Sequence, residues 1–224
     1  LELYHAAENP SGISASTYQT ALLAYRRGSI SVAKALCLWA KEAQEKNEDI
    51  VSLLPTLRLL VDIALEEKEF DAANQYCARA LDFSNQIHDR GELAATYYSL
   101  TVNARLQKEY NQAHTYAKEA LALFELMGDR GFQALMHYEL SRILAGTHSF
   151  TESIAIGLKS MKMFEDLSED FNLVYVLQHL GALYCQLGDR VQATMLWQRA
   201  LVIALAKEHP LTQGIQENLA QVAP

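Results

Sequence analysis

The chain has 224 residues and a mass of 25.1 kDa, and half of it is apolar, yet it holds only ten glycines and four prolines, roughly half the usual share of turn formers. That composition excludes a strand-rich sandwich or barrel with its many tight turns, and equally a disordered tail. With 19 Lys and Arg against 27 Asp and Glu the net charge is −8, the wrong sign for a broad grip on nucleic acid or anionic lipid, so neither nucleic acid nor a membrane is expected as a direct partner.

No basic, apolar, small-residue leader opens the sequence, and no run of eighteen apolar residues occurs; even the oiliest stretch, Val51 to Leu65, is cut by Arg58 and Asp62. Three cysteines are too few and too odd a number for a disulfide framework, so a reducing cytoplasm is expected. The first residue is Leu1 rather than Met, which reads as part of something longer.

Taken in chain order, the sequence repeats every forty residues. One column runs Ala33, Ala73, Ala113, Ser153, Ala193; another runs Ala40, Ala80, Ala120, Ser160, Ala200. Upstream of these, Leu60, Leu100, Leu140 and Leu180 form a third, with Thr20 as its weak first member, and Ile30, Phe70, Tyr110 and Phe150 form a fourth that ends in Arg190. Five copies result, at about 14–48, 49–88, 89–128, 129–168 and 169–208, followed by a last helix over 211–222, all expected to form one domain spanning 1–224.

Within a copy the apolar residues keep helical spacing, as in Leu177, Leu180, Leu183 and Tyr184 and then Val191, Ala193, Leu196, Trp197 and Ala200. Each copy is therefore a pair of amphipathic helices, joined by turns at Arg27-Gly28-Ser29, Glu67-Lys68-Glu69, Gln107-Lys108-Glu109, Thr147-His148-Ser149 and Leu187-Gly188-Asp189. Asp49, Asp89, Asp129 and Glu169 stand between copies, where an acidic side chain accepts from the open amides of the next helix. Ser149 and Glu152 have the spacing of a capping box, Gly128 suits a left-handed C-terminal cap, and Pro210 suits the first turn of the final helix.

The columns Leu180-Gly181-x-x-Tyr184 and Ala193-x-x-x-Trp197-x-x-Ala200 resemble the tetratricopeptide pattern, with a period longer than that family's by six residues. Copies of this length are similar to those in the sensor arrays of large bacterial regulators, such as maltose-type transcription activators and related multidomain NTPases, where phrases like Leu126-Met127-Gly128-Asp129-Arg130 recur. The resemblance implies an all-α fold, a right-handed α-solenoid of five two-helix repeats closed by a C-terminal capping helix. It also implies that the first helix of each repeat lines a concave face.

Catalytic and nucleotide motifs are missing: there is no glycine-rich phosphate loop with Lys, no His-Glu-x-x-His, no Cys-x-x-Cys and no Gly-x-Ser-x-Gly. No enzyme activity, cofactor or metal is expected. Cys37 and Cys77 lie forty apart in a packing column with Trp197 and behave as small hydrophobes, while Cys185 on a first helix is partly exposed. The histidines fall in unrelated columns and read as surface or turn residues, and Trp39, two positions off the Trp197 column, faces solvent or a neighbour.

Spacing from the Leu column selects the residues that project from the first helices: Tyr18, Leu22, Tyr25 and Arg26; Arg58, Asp62 and Glu66; Tyr98, Val102 and Arg105; Tyr138 and Arg142; Tyr175, Gln178 and Ala182. The four arginines against Asp62 and Glu66 leave this set at +2 in a chain of −8. Arginine offers a planar fork to carboxylates and tyrosine offers rigid contact area with a polar tip. The expectation is a non-catalytic binding module, the regulatory or sensor segment of a larger bacterial signalling protein, holding an acidic peptide or protein segment along this groove. The clamp that some family members use for chaperone tails needs Lys and Asn where this chain has Tyr18, Arg58, Tyr98 and Tyr138, so that function is not expected. Two alternatives stay open: self-association through the solenoid ends or convex face, and capture of a small anionic effector by the same arginines. The sequence leaves the oligomeric state open.

Overall fold

A computed structural model of the chain describes residues 10–222. Over that range there are eleven helices: α1 (Pro10–Arg26), α2 (Ile30–Lys46), α3 (Ile50–Glu66), α4 (Phe70–Ile87), α5 (Arg90–Leu106), α6 (Tyr110–Met127), α7 (Arg130–Gly146), α8 (Phe150–Leu167), α9 (Asp170–Gln186), α10 (Arg190–Ala206) and α11 (Thr212–Val222). The protein is all-α, built of helical hairpins with a final single helix. Residues 1–9, which the single domain expected over 1–224 includes, lie outside the described residues. The chain divides into two compact units, 1–107 and 108–224.

The turns share one device. At every twentieth residue the backbone enters the left-handed region: Gly28, Glu48, Lys68, His88, Lys108, Gly128, His148, Ser168, Gly188 and Glu208 all have φ between +50° and +84°. The next residue then donates its N–H five positions back, as Asp129 does to Phe124, Ser149 to Leu144 and His209 to Ala204, at 2.9 to 3.0 Å. This closure satisfies carbonyls that a helix end would leave open, and it fixes each helix at nearly the same length.

Caps follow the sequence in part. Asp49 accepts from the Ser52 N–H, Asp129 from Phe132 and Asp189 from Gln192, and Asp89 accepts from both Gly91 (2.7 Å) and Glu92 (3.0 Å). Glu169 makes no such bond, and the capping box expected at Ser149 does not form. The Ser149 hydroxyl receives the Thr147 Oγ1–H at 3.4 Å instead. Pro210 also lies outside the last helix, which starts at Thr212. Replacing Asp89 by Ala removes two cap bonds at once and should cost about 1 to 2 kcal/mol, with Asp89→Asn losing less, as read from urea midpoints.

In unit 1, Ala21, Ala33, Cys37, Leu59, Leu60 and Ile63 form one buried cluster, and Leu53, Leu54, Leu57 and Ala80 form a second. In unit 2 the core runs through Tyr138, Phe164, Val174, Leu177, Leu180, Trp197 and Ile215. The small-residue columns are fully buried, and where one carries serine the hydroxyl finds a carbonyl: Ser153 Oγ donates to Ser141 O (2.6 Å) and Ser160 Oγ to Ala134 O (2.7 Å). The helices therefore pack closely without an unpaired hydroxyl at those positions.

Candidate functional site

The residues selected from the first helices divide between the two units. Unit 1 holds Tyr18, Leu22, Tyr25, Arg26, Arg58, Asp62, Glu66, Tyr98, Val102 and Arg105; unit 2 holds Tyr138, Arg142, Tyr175, Gln178 and Ala182.

On unit 1, Tyr25, Asp62, Leu65, Glu66, Lys68, Val102 and Leu106 line an open depression of about 380 Å³. The arrangement follows from the forty-residue register, which places α1, α3 and α5 side by side and brings Asp62 and Val102 to equivalent positions. The floor is acidic. Burial, and after it the neighbouring Glu66 charge, push the Asp62 carboxyl up to about 7 against the pull of Arg58. Tyr25 is half-buried, lies beside the charges of Asp62 and Glu66 and donates its hydroxyl to Glu66, so its phenol is held well above the usual range.

The arginine expected to meet a ligand carboxylate here is already engaged: Arg58 Nη1 is ion-paired with Glu92. Tyr18, raised by burial, turns to a different cavity beside Gln44. Arg26 is exposed, Tyr98 is half-buried, and Arg105 has an interaction of its own within the protein.

On unit 2 the selected residues serve packing. Tyr138 is only 8% exposed; its ring meets His179 edge-on at 5.8 Å, and the Arg142 guanidinium lies 5.3 Å over its face while pairing with Glu139 at 3.3 Å. Tyr175 packs against Phe171 and His209, with centroids at 5.9 and 4.7 Å. Gln178 lends its backbone carbonyl to the Trp197 indole N–H at 3.1 Å.

Four polar residues escaped the reading by spacing: Asn103, His137 and Gln44 in columns that are largely apolar, and His209 in the acidic column between copies. Asn103 stands in the column of Ile63, Ile143 and Leu183, and joins Asn74 and Gln107 in a hydrogen-bonded cluster at 2.7 to 3.4 Å. His137 stands with Leu57 and Leu177, and Gln44 with Phe124, Phe164 and Ala204. His209 extends the column Asp49, Asp89, Asp129, Glu169: its Nδ1 accepts the Leu211 N–H at 3.1 Å in the turn that leads into the last helix. His137 is buried within α7 at 6% exposure, neither a surface nor a turn residue as expected, and His209 lies in the turn after α10 but is buried, at 2%.

Cys37 and Cys77 are buried, and burial pushes their thiols up to about 12, which leaves them inert at neutral pH. Trp39 is 47% exposed and Trp197 is buried. Among the described residues no three His, Cys, Asp or Glu side chains are placed to hold a metal, and no helix is long and apolar enough to cross a membrane.

No family model and no curated protein matches the chain. Among solved structures it is similar to a signal transduction ATPase with a tetratricopeptide repeat sensor from Pyrococcus horikoshii, with 17% identity, 96% of this chain and 32% of that longer one, and a TM-score of 0.75. It is also similar to a Rap protein complexed with Competence and Sporulation Factor, with 14% identity, 99% and 66% coverage, and a TM-score of 0.74. A TPR protein of Thermus thermophilus matches with 17% identity over 93% of this chain and 98% of that one, at a TM-score of 0.67. Identity at this level speaks to architecture, and the architecture agrees with the repeat columns: this chain has the fold of the tetratricopeptide-repeat proteins.

Proposed function

We propose that the protein is a non-catalytic protein- or peptide-binding module of regulatory type, and that unit 1 holds a cationic side chain of its partner in the depression floored by Asp62 and Glu66. The observation that carries the reading is the depression itself, with two carboxylates against one lysine, Lys68, a tyrosine and the apolar walls of Val102 and Leu106. Aliphatic walls suit the stem of an arginine or lysine, and the carboxylates suit its head. An acidic partner was the expectation from the arginine count; with Arg58 paired to Glu92, the charged groups that line this depression are Asp62, Glu66 and Lys68, two carboxylates to one ammonium. Structural similarity to a Rap protein solved with a signalling factor and to an ATPase with a repeat sensor supports a regulatory role in the same direction.

Calorimetric titration with a blocked pentapeptide carrying one arginine tests this. The arginine peptide should bind, its glutamate counterpart should not, and Asp62→Asn with Glu66→Gln should weaken binding by about tenfold or more. Binding should also fall as the pH drops below about 7, because a cation favours the carboxylate and Asp62 takes up its proton there. Tighter binding of the glutamate peptide would overturn the reading.

One observation favours self-association as a second reading. Along α10, Val191, Met195, Val202 and Leu205 form a single row and are 57 to 71% exposed. Concentration-dependent light scattering that disappears in Met195→Lys with Val202→Lys would establish it.

A further inference from the structure

Gln44 has the least expected environment in the molecule. Its side chain is fully buried, and neither its carboxamide oxygen nor its nitrogen has a hydrogen-bond partner within the protein. Burying both groups unpaired is costly, and native proteins rarely accept it. The repeat supplies its own control. At the same position forty residues on, Ser84 Oγ pairs with Thr96 Oγ1 at 2.9 Å, and further copies carry Phe124, Phe164 and Ala204. The residue equivalent to Thr96 is Thr56; both threonines donate to the carbonyl four residues back, Glu92 O and Ser52 O, but Thr56 makes no bond to Gln44.

Gln44 borders a cavity of about 490 Å³ between α1 and α3, also lined by Ser16, Tyr18, Gln19, Val51 and Pro55. Pro55 sits inside α3 and has no N–H, so the carbonyl of Val51, another residue of the lining, lacks its helical donor. Among the described residues no Asp, Glu, Lys or Arg lines this cavity. The cavity on the other side of Gln44 contains Glu45 and Arg79, which are already paired with each other at 2.6 Å.

We infer that the cavity between α1 and α3 is a binding site for one uncharged residue of an extended peptide. In extended backbone the N–H and C=O of one residue point the same way. The N–H would donate to Gln44 Oε1, and the C=O would accept from Gln44 Nε2. The neutral lining selects against charged side chains, and the volume lies within the range of small-ligand sites. The site shares no lining residue with the Asp62 depression, so it stands or falls apart from that proposal.

The test is an NMR titration of the intact chain with N-acetyl-alanine-N-methylamide, following the Gln44 side-chain NH₂ resonances, with acetate and methylammonium as charged controls. Saturable shifts of that NH₂ by the blocked residue, and none by the controls, are expected. Gln44→Met should abolish the effect on the neighbouring Tyr18 ring signals while melting at the same or a higher temperature than wild type, since it removes two unpaired groups. Absence of a saturable shift in the wild type, equal shifts with either ion, or a lower melting temperature in a folded Gln44→Met would overturn the inference. The last result would mean that the carboxamide has a structural role. Should Gln44→Met fail to fold, the wild-type titration decides alone.

Discussion

Gly181→Val should unfold unit 2 or lower its stability by about 3 kcal/mol or more, and Gly181→Ala by about 1 to 3 kcal/mol. A Cβ at Gly181 would fall 2.4 Å from Trp197 Nε1 and 2.6 Å from its Cδ1. The indole cannot step aside. It is 4% exposed, lies in the core with Leu177 and Leu180, and is tied by its N–H to the Gln178 carbonyl. The repeat indicates the remedy. The positions equivalent to Gly181 and Trp197 are Val61 and Cys77 in the second copy and Ser141 and Gly157 in the fourth, so bulk on one helix is answered by its absence on the other. Gly181→Val with Trp197→Cys copies the second repeat and should recover most of the loss in a thermal melt. If the double variant is no more stable than Gly181→Val alone, the two side chains do not share one volume.

Acid should weaken unit 2 while unit 1 resists it. His137 is buried, its Nδ1 has no hydrogen-bond partner, and burial together with the nearby Lys159 charge pulls its pKa down to about 4. A base whose pKa is depressed by folding takes up its proton in the unfolded chain first. The stability is complete above the unfolded value of about 6.5 and is lost as pH falls from there toward about 4, by about 3 kcal/mol in full. His209, also depressed chiefly by burial, acts with the same sign, because protonating Nδ1 removes the acceptor of the Leu211 N–H in the turn before α11. Asp62 in unit 1 acts oppositely: its carboxyl is pushed up to about 7, so between that value and the ordinary carboxylate range acid favours the folded form. The two tryptophans report the units separately, Trp39 in unit 1 and Trp197 in unit 2. Urea midpoints read from Trp197 should fall between pH 7 and pH 4.5, and the fall should shrink in His137→Leu, which restores the residue of the equivalent columns. Equal pH dependence in wild type and His137→Leu would contradict the assignment.

The helices and their hairpins were legible because packing repeats: Ala33, Ala73 and Ala113 must all be small for the same reason, and any one of them predicts the next. The candidate site was less legible, because lateral pairing does not repeat. Arg58 finds Glu92 on the next first helix, whereas the residue forty positions after Arg58 is Tyr98, so a column cannot say which charges are spent. Spacing did place Asp62, Glu66, Tyr25 and Val102 on one surface, and all four line the depression. The sign of that surface came from the ion pairs. Gln44, His137 and His209 carried a readable signal as polar residues breaking apolar columns or extending the cap column, but their burial and unpaired atoms required the packed neighbours.

We propose that a partner docks on the first-helix surface of unit 1 by a cationic side chain. Backbone amide shifts during titration with the arginine peptide test it most directly. Shifts concentrated at Tyr25, Asp62, Glu66, Val102 and Leu106 are the predicted result. Shifts confined to the outer row of α10, or a surface of unit 1 that stays silent at saturation, would contradict it.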